Sequence, residues 1–87
     1  MPSAIILVNT SIGMENQVLK SLKGHEGVLE VFSVQGAYDI IVKVKTDTFA
    51  SLRETIDKIK RTLPKIQSTV TMLVVERSHI PLEAANQ

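Results

Sequence analysis

Five consecutive aliphatic residues near the amino terminus, Ala4 to Val8, limit the folds open to this chain. Successive side chains of a strand point to opposite faces of the sheet, so an unbroken aliphatic run is typical of a central strand that is covered on both faces. Asn9-Thr10-Ser11 then supplies turn-forming residues. A monomer of this size buries only about 60–65% of its extended-chain surface, so we expect part of the cover to come from association.

Two amphipathic helices are predicted. From Met14 to Lys23 apolar residues recur every three or four positions, and Gly24 is predicted to end this helix in a left-handed conformation. Asp47 is predicted to cap the second helix and Pro64 to stop it. The apolar stripe of the second helix consists of Phe49, Leu52, Ile56, Ile59 and Leu63.

Three further strands are predicted from segments rich in β-branched residues. Residues 28–34 and 37–45 flank Gln35-Gly36, a spacing suited to a tight two-residue hairpin. Residues 66–76 form the last predicted strand. The strand, helix, strand, strand, helix, strand order predicts an α+β ferredoxin-like βαββαβ sandwich, in which a four-stranded antiparallel sheet carries both helices on one face.

The uncovered face of this sheet is a predicted dimer surface. It should carry Ile41 beside charged residues such as Asp39 and Lys43, a mixed surface of the kind that subunits bury. We expect a single domain over residues 1–76 and a polar tail over 77–87 that is loose or ordered by a partner chain.

Composition excludes several classes of function. The chain has no cysteine, and His25 and His79 lie in separate segments, so no metal or other cofactor is predicted. A net charge of +1 and only three aromatic residues argue against direct nucleic-acid binding. Lys58 and neighbouring cations on the second helix are diluted by acids and are interpreted as a solvated face. No apolar run approaches the roughly 20 residues of a membrane span, so a cytoplasmic protein is predicted.

The pattern glycine, any residue, aromatic, aspartate occurs as Gly36 to Asp39, directly after the second strand. Other spaced residues agree with it, namely Val28, Val44, Asp47, Leu63-Pro64 and Thr69-Val70-Thr71. Together, over about residues 4–76, they resemble the regulation-of-amino-acid-metabolism (RAM) domain, the ligand-sensing part of Lrp/AsnC-type transcription regulators. The first predicted strand begins close to Met1, so the sequence looks like a stand-alone form of that domain without the helix-turn-helix.

The resemblance implies a two-fold homodimer formed through the sheets, a dimeric α+β barrel. It also implies that dimers assemble further into octamer-like or similar rings. An amino-acid effector would then bind at contacts between dimers. Regulation of transcription would be indirect, without direct contact to DNA.

Three predicted ligand-binding residues lie around the hairpin. Asp39 is predicted to accept hydrogen bonds from the ammonium group of an effector; the alternatives are a pair with Lys43 or a bond to a neighbouring strand. Gly36 would let backbone N–H groups approach a carboxylate, and it would also close the hairpin. Tyr38 would either wall the pocket or pack at the dimer contact.

The last strand contributes the other predicted ligand-binding residues. Thr69, Thr71 and Met72 match the region that faces the effector in relatives. The two hydroxyls would bond a ligand and Met72 would shape its selectivity. Ordinary strand packing is the alternative for each of them.

Three functions are weighed. The first is an effector-binding regulatory module, and the second is an assembly partner of full-length Lrp/AsnC regulators. The third is a small ferredoxin-like dimeric enzyme, for which no residue argues specifically. An acylphosphatase-like reaction is rejected, because Asp39 follows the loop where such an enzyme needs an arginine to hold phosphate. No catalytic residues are predicted.

Overall fold

The computed structural model describes residues 1–62 and 66–74 of the chain. The described elements follow the predicted order of a ferredoxin-like sandwich. Residues 63–65 and 75–87 lie outside the described part, and with them the predicted helix stop at Pro64, the end of the last predicted strand and the predicted tail. The elements are β1 (Ser3–Thr10), α1 (Glu15–Lys23), β2 (Val28–Ser33), β3 (Ile40–Lys45), α2 (Phe49–Thr62) and β4 (Ile66–Leu73).

The four strands form one antiparallel sheet in the order β2-β3-β1-β4. The first strand of the chain is therefore a central strand, as its aliphatic run predicted. Leu7 of β1 lies opposite Ile41 of β3 on one side and Val70 of β4 on the other. The predicted fold class is confirmed.

The core lies between the helices and one face of the sheet. Along β1 buried and half-buried residues alternate, which is the period-two pattern of a strand with one covered face. Both helices direct apolar stripes onto the buried residues, and each buried Ile, Leu or Val contributes on the order of 1.5–3 kcal/mol. The core consists of Ala4, Ile6, Val8, Val18, Leu22, Ile40, Val42, Val44, Leu52, Ile56 and Ile59.

Two predicted helix ends differ from the structure. The N-terminal cap of α2 is Thr48 and not Asp47, because the Thr48 hydroxyl accepts a hydrogen bond from the backbone N–H of Ser51 at 3.1 Å. Gly24 has a φ of −89° and its N–H donates to the Leu22 carbonyl, so α1 ends without a left-handed residue. The left-handed conformation falls three residues later, at Gly27.

Gly27 lets the loop before β2 pack directly on α2. Its φ is +89°, and a Cβ at this position would lie 2.9 Å from Cγ2 of Thr55. The Gly27 carbonyl accepts a hydrogen bond from the backbone N–H of Lys45 at 3.0 Å. Both the backbone conformation and the close approach require glycine here.

The predicted two-residue hairpin is wrong. β2 ends at Ser33 and β3 begins at Ile40, and the last bond between them joins the Val34 N–H to the Asp39 carbonyl at 2.8 Å. The connection is longer because Asp39 also bonds to β1, which fixes the start of β3. Gly36 therefore lies within a wider loop.

Candidate functional site

Asp39 lies at the end of the sheet where β1 finishes and β3 begins. Its Oδ2 accepts hydrogen bonds from the backbone N–H of Thr10 at 3.1 Å and from the Thr10 hydroxyl at 3.4 Å. The Asp39 N–H donates to the Val8 carbonyl at 3.0 Å. Within residues 1–62 and 66–74, the hydrogen bonds found for this carboxylate use Oδ2 only, so Oδ1 retains capacity to accept from a ligand.

The two structural alternatives for Asp39 are now distinguished. The bond to a neighbouring strand is found, since Thr10 belongs to β1. Lys43 instead pairs with Glu30 of β2, with 3.6 Å between Nζ and Oε1. Both side chains are about half exposed, at 48% and 53%, so the pair contributes at most about 1 kcal/mol. The charge of Asp39 is thus not neutralised by Lys43.

The loop before Asp39 carries two more predicted site residues. Gly36 is exposed, its φ of +158° is close to extended backbone, and a Cβ added there would meet no atom within 4 Å. Packing therefore does not explain a glycine at this position, and approach of a ligand to its backbone stays a prediction. Tyr38 is half-buried beside it, and its two predicted roles also remain predictions.

The predicted residues of β4 divide between the two faces of the sheet. Thr71 lies opposite the buried Ile6, so its side chain points to the helix side, as does that of Thr69 opposite Val8. Met72 lies opposite Ile5 on the open face and is 45% exposed. Thr71 and Met72 of one chain therefore cannot line the same pocket.

Asp39 and Thr71 are also far apart within one chain. Thr71 pairs with Ile6, whereas Asp39 contacts Thr10, four residues farther along β1. At 3.3–3.4 Å per residue this offset alone is about 13 Å, and the two residues belong to strands on opposite sides of β1. A free amino acid spans less than this distance. Only a contact between chains could bring both residues to one ligand.

An apolar row crosses the open face of the sheet. Phe32, Ile41, Leu7 and Val70 lie opposite one another in turn, one residue from each strand. Their neighbours along the strands point to the helices, so these side chains face away from the core. Phe32 is 44% exposed and Val70 is 41% exposed. This face is the predicted dimer surface.

A groove with a volume of about 620 Å³ lies on the helix side, between α2 and β4. The hydroxyl oxygen of Thr71 is buried beside it, and no hydrogen-bond partner for this atom is found in the described part of the chain. A buried hydroxyl without a partner costs about 1–3 kcal/mol. The apolar lining of the groove comes mainly from Phe49, Leu52, Ile56 and Leu73.

A second groove of about 460 Å³ lies beside Gly27 and the start of α2. Because it carries charges of both signs, it favours no single charge on a ligand. The described residues contain no group of three or more His, Cys, Asp or Glu side chains placed to hold a metal ion; His79 lies outside them. The ionisable side chains that line this groove are His25, Glu26, Lys45, Asp47, Glu54 and Lys58.

Thr10 was missed by the sequence analysis as a partner of Asp39. It is a polar residue, only 5% exposed, at the end of a strand with a central aliphatic run. A buried polar side chain at such a position signals a hydrogen-bond partner, but the strand register that identifies Asp39 is not visible in the sequence. Phe49, Arg53 and Lys60 of the α2/β4 groove were missed because their relation to β4 depends on packing.

The described helices include none that is both long and apolar enough to cross a membrane.

Comparison with known proteins identifies the family of this chain. The family model of the Lrp/AsnC ligand binding domain matches residues 3–80. The HTH-type transcriptional regulator FL11 of Pyrococcus abyssi is 30% identical over 84 residues, which is 92% of this chain and 55% of that regulator. The chain thus spans about half the length of this curated relative.

Two solved structures share this fold over their whole length. The crystal structure of hypothetical protein PHS023 from Pyrococcus horikoshii is 38% identical with a TM-score of 0.80, covering 92% of this chain and 100% of that one. The crystal structure of FFRP-DM1 is 41% identical with a TM-score of 0.81, and the match covers 86% of this chain and 100% of that one. Because the family model matches and these structures share its arrangement of sheet and helices, this chain belongs to the Lrp/AsnC ligand-binding domain family.

Proposed function

We propose that this chain is an effector-responsive assembly module of a cytoplasmic system that regulates transcription. Copies associate through the open sheet face, and an amino acid binds at contacts between the resulting dimers. The observation that carries the proposal is the placement of Asp39, whose carboxylate is fixed by Thr10 through one oxygen beside an exposed loop. Membership of a ligand-binding domain family supports it, as does the similarity to a regulator.

The open face supports the first step, formation of a dimer. The row from Phe32 to Val70 gives each copy a continuous apolar strip across all four strands. Lys43, the cation beside this strip, already has Glu30 as its counterion. Covering the face therefore removes apolar surface from water, and Lys43 is covered together with its counterion.

The chemistry around Asp39 supports the second step, capture of an amino acid. An ammonium group donates to Oδ1 of Asp39, a charge-assisted bond of roughly 1.5–3 kcal/mol. Backbone N–H groups near Gly36 donate to the effector carboxylate. Met72 acts from a second chain, since it is too far from Asp39 in the same one. Thr69 and Thr71, which point to the helix side of β4, are not part of this contact.

A ligand held by two chains is also a sensor of assembly. It binds only the oligomer that presents both halves of the site, so binding shifts the population toward that oligomer. The assembly state then reports the effector concentration. A DNA-binding partner would convert this state into a change in transcription.

Native mass spectrometry with and without a pool of the common amino acids tests the proposal. We expect an oligomer larger than the dimer to gain the mass of one amino acid per site. Asp39→Asn keeps an oxygen for Thr10 but removes the charge, so the added mass should disappear while the fold is retained. Asp47→Asn, at an exposed acid, is the matched control. A ligand-free oligomer under every condition would contradict the proposal.

Co-assembly with full-length regulators is a second candidate. The observation that favours it is that the match to FL11 covers 55% of that regulator, so the shared part is one that both proteins could use to associate. Mixed oligomers would change how many DNA-binding segments one assembly carries. Co-expression with such a regulator followed by native mass spectrometry should show mixed species, and separate homo-oligomers alone would exclude this role.

A further inference from the structure

We propose that the groove between α2 and β4 is a second small-molecule site, which takes a monocarboxylate with an aliphatic or aromatic body, such as a branched 2-oxo acid. The groove holds about 620 Å³, a volume in the usual range for a small-ligand pocket. Leu52 and Ile56 are buried at its base. Phe49 and Leu73, which are 71% and 57% exposed, form apolar walls that a ligand body would cover.

The Thr71 hydroxyl gives the groove a specific polar contact. Its oxygen is buried, and the described part of the chain provides no hydrogen-bond partner for it. A hydroxyl both donates and accepts, so it can bond the keto oxygen of a 2-oxo acid. An apolar groove with one polar group of this kind can orient a ligand as well as bind it.

The charges along the groove favour an anion. Arg53, Asp57 and Lys60 line it, so two cations face one acid. None of the three forms an ion pair with another residue in the described part of the chain. A ligand carboxylate can therefore take either cation without displacing an existing partner, and Arg53 can bind it with two parallel hydrogen bonds.

This site is separate from the one proposed at Asp39. Thr71 lies on the helix side of β4, whereas Asp39 contacts the end of β1 about 13 Å away along the strand. The groove is also formed within one chain, so it does not require assembly. Binding at the two sites can be lost independently.

Two ligands with one carbon skeleton test the assignment. Isothermal titration calorimetry and ¹⁵N–¹H NMR titration of the full chain would use 4-methyl-2-oxopentanoate and L-leucine. The first carries a keto group where the second carries an ammonium group. In Asp39→Asn, where the amino-acid site is removed, the oxo acid should bind several-fold more tightly than leucine, with shift changes in α2 and β4 centred on Arg53 and Thr71. Asp39→Asn should leave this binding unchanged, which separates the site from the one at the loop.

Paired variants identify the contacts. Thr71→Val should weaken oxo-acid binding at least fivefold, while Thr69→Val, on the same face but outside the groove, should not. Lys60→Gln and Arg53→Gln should each weaken binding, with Arg61→Gln as the control on the same helix. Circular dichroism establishes that each variant is folded. Tighter binding of leucine than of the oxo acid in Asp39→Asn, where the amino-acid site is removed, would overturn the proposal. So would unaltered affinity in Thr71→Val, or shift changes confined to other elements.

Discussion

The carboxylate of Asp39 accepts hydrogen bonds from both the backbone N–H and the hydroxyl of Thr10, which lies 29 residues earlier in the chain. One side chain therefore joins the start of β3 to the end of β1. The same contact anchors the loop that contains Gly36 and Tyr38 to the sheet at the end that precedes β3. Asp39, which is predicted to bind a ligand, thus also has a structural role. Variants at this position must distinguish a loss of ligand binding from a loss of stability.

Asp39→Ala should lower the free energy of unfolding by about 1–2 kcal/mol, because the N–H and hydroxyl of Thr10 lose their acceptor at a buried position. Asp39→Asn, which keeps an acceptor oxygen, should lose clearly less stability than Asp39→Ala. Urea denaturation at one subunit concentration measures both. Equal losses in the two variants would show that the hydrogen bonds to Thr10 do not contribute.

Thr71→Val should raise the free energy of unfolding by about 1 kcal/mol, because a methyl group replaces a buried hydroxyl that lacks a partner among the described residues. Thr69→Val, at a half-buried hydroxyl on the same strand face, should change stability less. Thermal unfolding followed by circular dichroism compares the two. A loss of stability in Thr71→Val would show that its hydroxyl has a partner in the folded protein.

Val70→Asp should weaken association of the chain by about tenfold or more, because it places a charge in the apolar row of the open face. The side chain points away from the helices, so the monomer core is not altered. Light scattering coupled to size-exclusion chromatography, over a range of concentrations, measures the change. Gln17→Asp, at an exposed position of α1, is the control and should associate like the parent.

Gly27→Ala should destabilise the protein more than Gly13→Ala. Both glycines have a positive φ, +89° and +83°, so both variants carry backbone strain of about 1 kcal/mol. Only at Gly27 would the new Cβ also meet a neighbour, 2.9 Å from Cγ2 of Thr55, whereas Gly13 has no atom within 4 Å. Denaturation curves of the two variants give the difference.

Thr55→Ser in the Gly27→Ala background removes the methyl group that causes the contact. It should restore part of the steric loss, since Oγ1 of residue 55 remains 3.2 Å from the new Cβ, and it should not restore the backbone part. No recovery in this double variant would mean that backbone strain alone accounts for the effect.

The order of elements and the fold could be predicted from local patterns. The aliphatic run of β1 and the stripe of α2 each repeat with a period that belongs to one kind of element. The ends of the helices were less predictable. Asp47 and Thr48 are both good capping residues, and only the structure shows that Thr48 bonds to Ser51. The prediction of a two-residue turn between β2 and β3 was wrong, because Gln35-Gly36 fits a tight turn locally while Asp39 is held by a strand far away in the sequence.

The candidate site was only partly accessible from the sequence. Asp39 could be selected from its motif, but its partner Thr10 depends on the strand register. Thr71 and Met72 are adjacent in sequence and were assigned to one site, yet they point to opposite faces of β4. The α2/β4 groove combines residues from two elements whose relative position is set by packing, and no sequence pattern links Arg53 to Thr71.

The strand order has a consequence for how the chain acquires its structure. β1, which precedes the other described strands in the chain, pairs with β3 and with β4, and Ile6 meets Thr71 only when nearly the whole described chain is available. Such non-local pairing slows folding, because the entropy of closing a long loop is lost before the contacts form. Until β4 arrives, one edge of an aliphatic strand is exposed. Nascent chains that end before β4 should therefore be prone to aggregation.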